Sequence, residues 1–402
     1  MTAAERRLWL GLAAAGISPA HFDRMLRDLG SVPALADAAR ENDPAIPPKL
    51  AHAVVAALRP EILEPLETAM RRQAIQLVTR QDPQYPPLLR QIDDPPLALF
   101  VRGLADMRHP RQFAIVGSRE CSPYGAQMAR RIASDLALAE VVVVSGMARG
   151  VDTAANMGCV QAGKRSVAVL GCGVDIVYPP ENRDQFDRLL ESGGALVSEY
   201  PPGTPPLRYH FPQRNRIISG MCSGMLLVEG TQRSGAMITV RCALAQGREV
   251  YALPGQADNP NSYMPLELLR EGGQMAADAQ DILRSIVWLQ PFNPRDAGAT
   301  SDGSDTLVPP ARSARLSLDS LPSREPEHAS AAQQTPTQAP PLPPLDSQEQ
   351  RIVDCLADGE QPFSALQALT HLSVSLLNSH LTMLEIQEII VQLPGRVYRR
   401  VR

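Results

Sequence analysis

At 402 residues, with 44% hydrophobic and 20% charged side chains, the chain is long enough for two or three domains and has the composition of a soluble globular protein. No apolar run approaches the roughly 20 residues of a membrane span and the first residues carry no secretory pattern, so a cytoplasmic protein without membrane contact is expected. A net charge of −4 excludes a surface coated in basic charge but not a local basic patch, and with Lys49 and Lys164 the only lysines, such a patch must be arginine.

Residues 1–74 read as a helical domain, of the kind seen in helix-hairpin-helix or SAM-like modules. Leu8, Trp9, Leu12 and Ala15 share one helical face, and Phe22, Met25, Leu26 and Leu29 another. Between them Ser18 and Pro19 have the types preferred at a helix N-cap and first turn. Ile75–Val78 and Leu97–Val101 read as short strands separated by proline-rich turns, a bridge packed on the edge of the next domain.

From about 110 to 285 strands and helices alternate. Apolar strands are predicted at 113–116, 141–144, 167–170, 195–197, 225–228 and 250–253, with helices near 124–138, 152–162, 181–192, 212–222 and 235–246. Near-continuous apolar strands separated by helices predict a doubly wound, Rossmann-like parallel sheet spanning 75–290, an α/β fold. Residues 291–345, rich in Pro, Ser and Ala, read as a disordered linker. Three helical stretches and a hairpin in 346–402 suggest a winged-helix domain.

Chemistry concentrates at the predicted strand ends. Gly117, Ser118 and Arg119 follow the first strand of the Rossmann-like region and lead into Ser122-Pro123, a strand, turn and helix start that predicts a cradle of N–H groups for an anion. Ser145, Gly146, Arg149 and Gly150 form the next such turn, and Ser234 and Gly235 a later one. Arg208, Phe211, Arg214, Asn215 and Arg216 make a second concentration, in which arginines alternate with aromatics. A single nucleic-acid strand needs both: charge for its backbone and a ring face for an unstacked base. Dinucleotide and ATP chemistry are poorly matched, because G-x-G-x-x-G and a Walker lysine are both missing. Six cysteines without metal spacing and scattered histidines predict no cofactor, no metal and no catalytic residues. Asp152, Asp175, Glu199 and Glu229, near strand ends, keep open a carboxylate-assisted nucleotide hydrolase of the phosphoribohydrolase type.

In order along the chain stand Ala-Ile-Val-Gly-Ser-Arg119, Val-Ser-Gly-Met-Ala-Arg-Gly-Val-Asp152, Val-Leu-Gly-Cys-Gly-Val-Asp-Ile-Val-Tyr-Pro179, Ser-Glu-Tyr-Pro201, Phe-Pro-Gln-Arg-Asn-Arg-Ile-Ile218, Ser-Gly235 and Leu-Pro-Gly255. This series resembles the DNA-processing protein A family (DprA, also called Smf), over about 75–290. The resemblance implies a non-enzymatic protein that binds and protects single-stranded DNA, helps load the recombinase RecA during natural transformation, and dimerises through its Rossmann-like domain. It also implies phosphate contacts at Arg119 and Arg208, base contact at Phe211, and the Arg-Asn-Arg element at 214–216. Where the family often has a histidine, this chain has Asn156. The presumed recognition helix, 374–384, has no Lys or Arg, so duplex binding by the tail is not favoured over docking of a partner.

Overall fold

Five helices open the chain: α1 (Ala3–Ala14), α2 (Pro19–Leu29), α3 (Val32–Glu41), α4 (Pro48–Ala57) and α5 (Pro60–Arg72). Their starts follow from local chemistry. The hydroxyls of Thr2, Ser18 and Ser31 accept from N–H groups that a helix start leaves unpaired, and proline stands in the first turn of α2 to α5. Trp9 and Phe22 are fully buried with ring centroids 5.1 Å apart. The computed structural model describes residues 2–288 and 347–401, apart from 105, 233, 287, 358, 371, 373, 387, 388 and 394–396, and divides them into two compact units. The predicted linker, 291–345, lies outside the described residues.

In the first unit, β1 (Ile75–Thr79) and β2 (Ala98–Gly103) pair antiparallel. Then follow β3 (Gln112–Val116), α6 (Pro123–Leu138), β4 (Val142–Ser145), α7 (Val151–Gln161), β5 (Ser166–Val169), α8 (Arg183–Glu191), β6 (Ala195–Ser198), α9 (His210–Met221), β7 (Gly224–Leu227), α10 (Ala236–Ala245), β8 (Glu249–Ala252), α11 (Tyr263–Arg270), β9 (Gln274–Met275) and α12 (Ala279–Ser285). One nine-stranded sheet results, in the order β1-β2-β6-β5-β4-β3-β7-β8-β9. The strands from β3 to β9 are mutually parallel, as expected, with β3 at the point where the winding reverses. The bridge goes further than expected: β2 pairs antiparallel with β6, so both its strands belong to the sheet. The short β9 and helices α11 and α12 were not anticipated.

Every residue of β3 is buried, as a central strand covered on both faces requires. On one face α6, α7 and α12 pack around Phe113, Ile132, Leu136 and Tyr251. On the other, Trp9, Leu12 and Phe22 belong to the same apolar cluster as Leu77, Phe100, Leu170 and Leu196, so the N-terminal helices share the core of the sheet. Polar contacts tie the same seam: Arg80 pairs with Asp23 at 2.7 Å, and Arg6 donates to the Leu77 carbonyl at 3.1 Å.

The second unit holds α13 (Ser347–Cys355), β10 (Gln361–Pro362), α14 (Phe363–Thr370), α15 (Val374–Ile386), β11 (Ile390–Leu393) and β12 (Val397–Arg400). Its sheet runs β10-β12-β11, and Ile352, Leu366, Leu381 and Tyr398 fill its core. These are the three helices and hairpin of a winged helix.

Candidate nucleic-acid interface

The turn after β3 corrects the first expectation. The predicted anion cradle at the start of α6 is filled by the protein itself. Because β3 pairs with β7, Glu229 just beyond β7 is carried to this corner, where Ser118 N–H donates to its carbonyl at 2.8 Å. Its buried carboxylate accepts from Ser122 N–H at 2.7 Å and from Ser122 Oγ at 2.5 Å. A carboxylate satisfies the positive end of α6 as a phosphate would. Gly125 makes the approach possible, since a Cβ there would lie 2.4–2.8 Å from the carboxylate atoms of Glu229. Ser118 Oγ is also engaged, accepting from Glu120 N–H at 3.1 Å. The Ser122 donors at this corner are thus already taken by Glu229.

A small cleft lies one step along, across the ends of β3, β4 and β5. Arg119, Gly146, Arg149, Gly171, Tyr178 and Phe211 line it. Gly150 turns the chain into α7 with φ of +75°, and a Cβ at that position would meet the Ser118 carbonyl at 2.3 Å. Glycine thus lets the β3 and β4 turns touch. Gly171 does the same for Phe211, whose ring carbon Cδ1 would lie 3.0 Å from an added Cβ. Arg119 is exposed and its guanidinium carbon sits 5.6 Å from the centre of the Phe211 ring, a cation–π distance. Tyr178 stands on another side of that ring, centroids 5.2 Å apart. Arg149 is exposed and ion-paired with Glu181. The cleft therefore presents cationic forks and aromatic surface together.

Helix α9 supplies Phe211, and its two later arginines are not where the sequence reading put them. Arg216 is only 6% exposed. Its Nη1 and Nη2 donate to the two carboxylate oxygens of Glu199 at 3.0 and 2.7 Å, and its Nε to Asp94 at 3.0 Å. Burial works to lower its pKa, but Glu199 and then Asp94 outweigh it, and the guanidinium is held charged above its ordinary range. Arg214, 3% exposed, donates through Nη1 to the carbonyls of Gly146, at 2.8 Å, and Val169. Both side chains are buried and their donors are engaged by protein acceptors. The physical reason is that each has acceptors supplied by residues distant in the chain, which an alternating pattern in sequence does not reveal.

Behind the Gly146 turn, Asp152 is buried beside Arg214: an added Cβ at Gly146 would lie 2.5 Å from both Arg214 Nη1 and Asp152 Oδ2. Burial raises the Asp152 carboxyl above its ordinary value, with Arg214 and then Arg119 pulling the other way. His210, at the start of α9, stacks on Tyr200 with centroids 3.8 Å apart, and its Nδ1 lies 3.1 Å from the Gly171 carbonyl. Burial lowers its pKa against the pull of that carbonyl.

The remaining predicted residues divide. Arg208 is exposed, three residues ahead of Phe211. Asn215 accepts from Arg214 Nε at 3.2 Å, and the buried Ser145 donates to the Ile115 carbonyl at 2.7 Å, so both brace the cleft from behind. Ser234 and Gly235 begin α10 after β7, across β3 from the cleft, and do not line it. Tyr178 was missed as a residue lining the cleft, and an aromatic in the loop after a Gly-x-Gly turn is the signal that could have found it. Glu229, read from the sequence as a candidate hydrolytic carboxylate, instead fills the corner at the start of α6. No group of His, Cys, Asp or Glu among the described residues could hold a metal, and no described helix is long and apolar enough to cross a membrane.

The family model described as DNA recombination-mediator protein A matches residues 76–287, and that of the DprA winged helix domain matches 336–396. Protein Smf of Escherichia coli (strain K12) is 44% identical over 229 residues, which are 56% of this chain and 61%, under two thirds, of that protein. Protein Smf of Synechocystis sp. is 30% identical over 329 residues, 81% of this chain and 80% of its own. Among solved structures, the X-ray structure of DNA processing protein A from Streptococcus pneumoniae superposes with a TM-score of 0.60 at 32% identity, covering 69% of this chain and 97% of that one.

Proposed function

The chain belongs to the DNA recombination-mediator protein A family, and from that premise we propose that it binds and protects single-stranded DNA without chemical turnover and helps load RecA onto it. The observation that carries this reading is the exposed Arg119 set against Phe211 at a small cleft, beside a corner plugged by Glu229. A base stacks on Phe211 while Arg119, and Arg208 just ahead of it, neutralise the backbone. Arg214 and Arg216 position α9 rather than touch DNA.

The hydrolase reading has little to work with. Glu229 is spent on Ser122, Glu199 on Arg216 and Asp175 on the Gly203 N–H, while Asp152 is enclosed beside Arg214. The wider reading is of a cytoplasmic homodimer with an N-terminal helical domain (1–74), a DNA-binding domain (75–290), a linker (291–345) and a winged-helix tail (346–402). Fluorescence anisotropy with labelled oligonucleotides across a salt series tests it. Tight binding to single strands over duplex is expected, and Arg119→Ala with Arg208→Ala lowers the log–log salt slope by about 1.4, roughly 0.7 for each lost phosphate contact. Unchanged affinity and slope in the double variant would overturn the site.

A further inference from the structure

Four side chains form a row along one wall of the cleft: cation, ring, ring, cation. Arg119 stands over Phe211, Phe211 lies 5.2 Å from Tyr178, and Arg149 is within electrostatic reach of the Tyr178 hydroxyl. One base and one phosphate account for the first two. The second ring and second cation have no role in that account. Tyr178 is half-buried and tilted by 39° to Phe211, so the two rings do not close on one another as a stacked pair. Arg149 is paired with Glu181, and both are largely exposed, at 58% and 49%. An exposed pair of this kind is weak enough for a competing anion to displace, and a phosphodiester offers Arg149 the same acceptor chemistry as the carboxylate of Glu181.

We propose that the cleft takes two consecutive nucleotides, the second base resting on Tyr178 and its phosphate replacing Glu181 on Arg149. This rests on the single-strand reading above. It makes Tyr178 a base-contacting residue and Glu181 an internal stand-in for phosphate that DNA must displace. Only a strand delivers a second phosphate at the same time as a second base, so the arrangement favours a polymer over a free nucleotide.

The test measures the full chain against two labelled oligonucleotides of equal length, one normal and one abasic throughout. Tyr178→Ala is expected to weaken binding to the normal strand by roughly 5- to 150-fold, the range of one stacked base, while leaving the abasic strand unchanged. Tyr178→Phe keeps the ring and retains affinity. Glu181→Gln removes the carboxylate that phosphate must displace and tightens binding to both strands with the salt slope unchanged, whereas Arg149→Ala lowers the slope by about 0.7. Equal weakening of both strands by Tyr178→Ala would mean that the ring only supports the cleft, and an unaltered slope in Arg149→Ala would mean that Arg149 meets no phosphate; either overturns the proposal. Failure of the unaltered protein to bind any strand overturns the parent reading with it, whereas binding that is indifferent to Tyr178→Ala overturns this one alone.

Discussion

Replacing Arg216 by methionine separates the two roles that an arginine on α9 can have. In the structure the guanidinium makes three hydrogen bonds to Asp94 and Glu199, and the three side chains are 7%, 9% and 17% exposed. Methionine fills much of the volume but leaves two enclosed carboxylates facing each other without their cation. Breaking a buried pair by removing one partner costs about 3–5 kcal/mol. At roughly 2–4 °C per kcal/mol, that is a fall in melting temperature of about 6–20 °C. A triple variant, Arg216→Met with Glu199→Gln and Asp94→Asn, removes the stranded charges and regains most of the loss. Thermal unfolding by circular dichroism reads both, and anisotropy on the same samples reads the salt slope, which stays as in the unaltered protein. A loss below about 1 kcal/mol, accompanied by a slope lower by about 0.7, would refute the reasoning: Arg216 would then be a phosphate ligand after all.

Gly125→Ala drives a methyl group into the Glu229 carboxylate and is expected to destabilise by about 1–3 kcal/mol, the range for overpacking; truncating Glu229 in the same chain relieves it, as chemical denaturation would report. His210 adds a pH dependence. Its folded pKa is depressed, so its contribution is present above the unfolded value of about 6.5 and is lost as pH falls through the folded value. A melting-temperature profile from pH 7.5 downward should decline on the acid side, and less so in His210→Gln. Phe211→Leu retains apolar bulk without a π-face, so it should lower affinity for the normal oligonucleotide and leave its salt slope intact.

What the sequence disclosed was local. The apolar runs around Phe113, Val143 and Val167 became strands because a buried parallel strand has no polar face to interrupt the pattern. Ser18 and Ser122 cap helices because their hydroxyls reach N–H groups within the next turn. Arg119 and Arg208 lie on the surface, as their residue type suggests, and Phe211 is half-buried at the cleft. The interior of the site was not legible. Arg216 looks like a phosphate ligand until Asp94, 122 positions earlier, closes on it. Glu229 looks like one more strand-end carboxylate until the β3–β7 pairing carries it 107 positions back to Ser122. β9, two residues long, carries no period to read. In each case the deciding partner is distant in the chain, and only the sheet order brings it near.

The plugged corner at α6 has a consequence for selection among ligands. A helix N-terminus left empty at the switch point of a doubly wound sheet attracts the phosphate of any nucleotide. On the proposed reading, the carboxylate of Glu229 keeps free nucleotides out of that corner without having to recognise them. On that reading discrimination comes from closing a door rather than from reading a label, and the neighbouring strand ends are left to a ligand defined by its continuity.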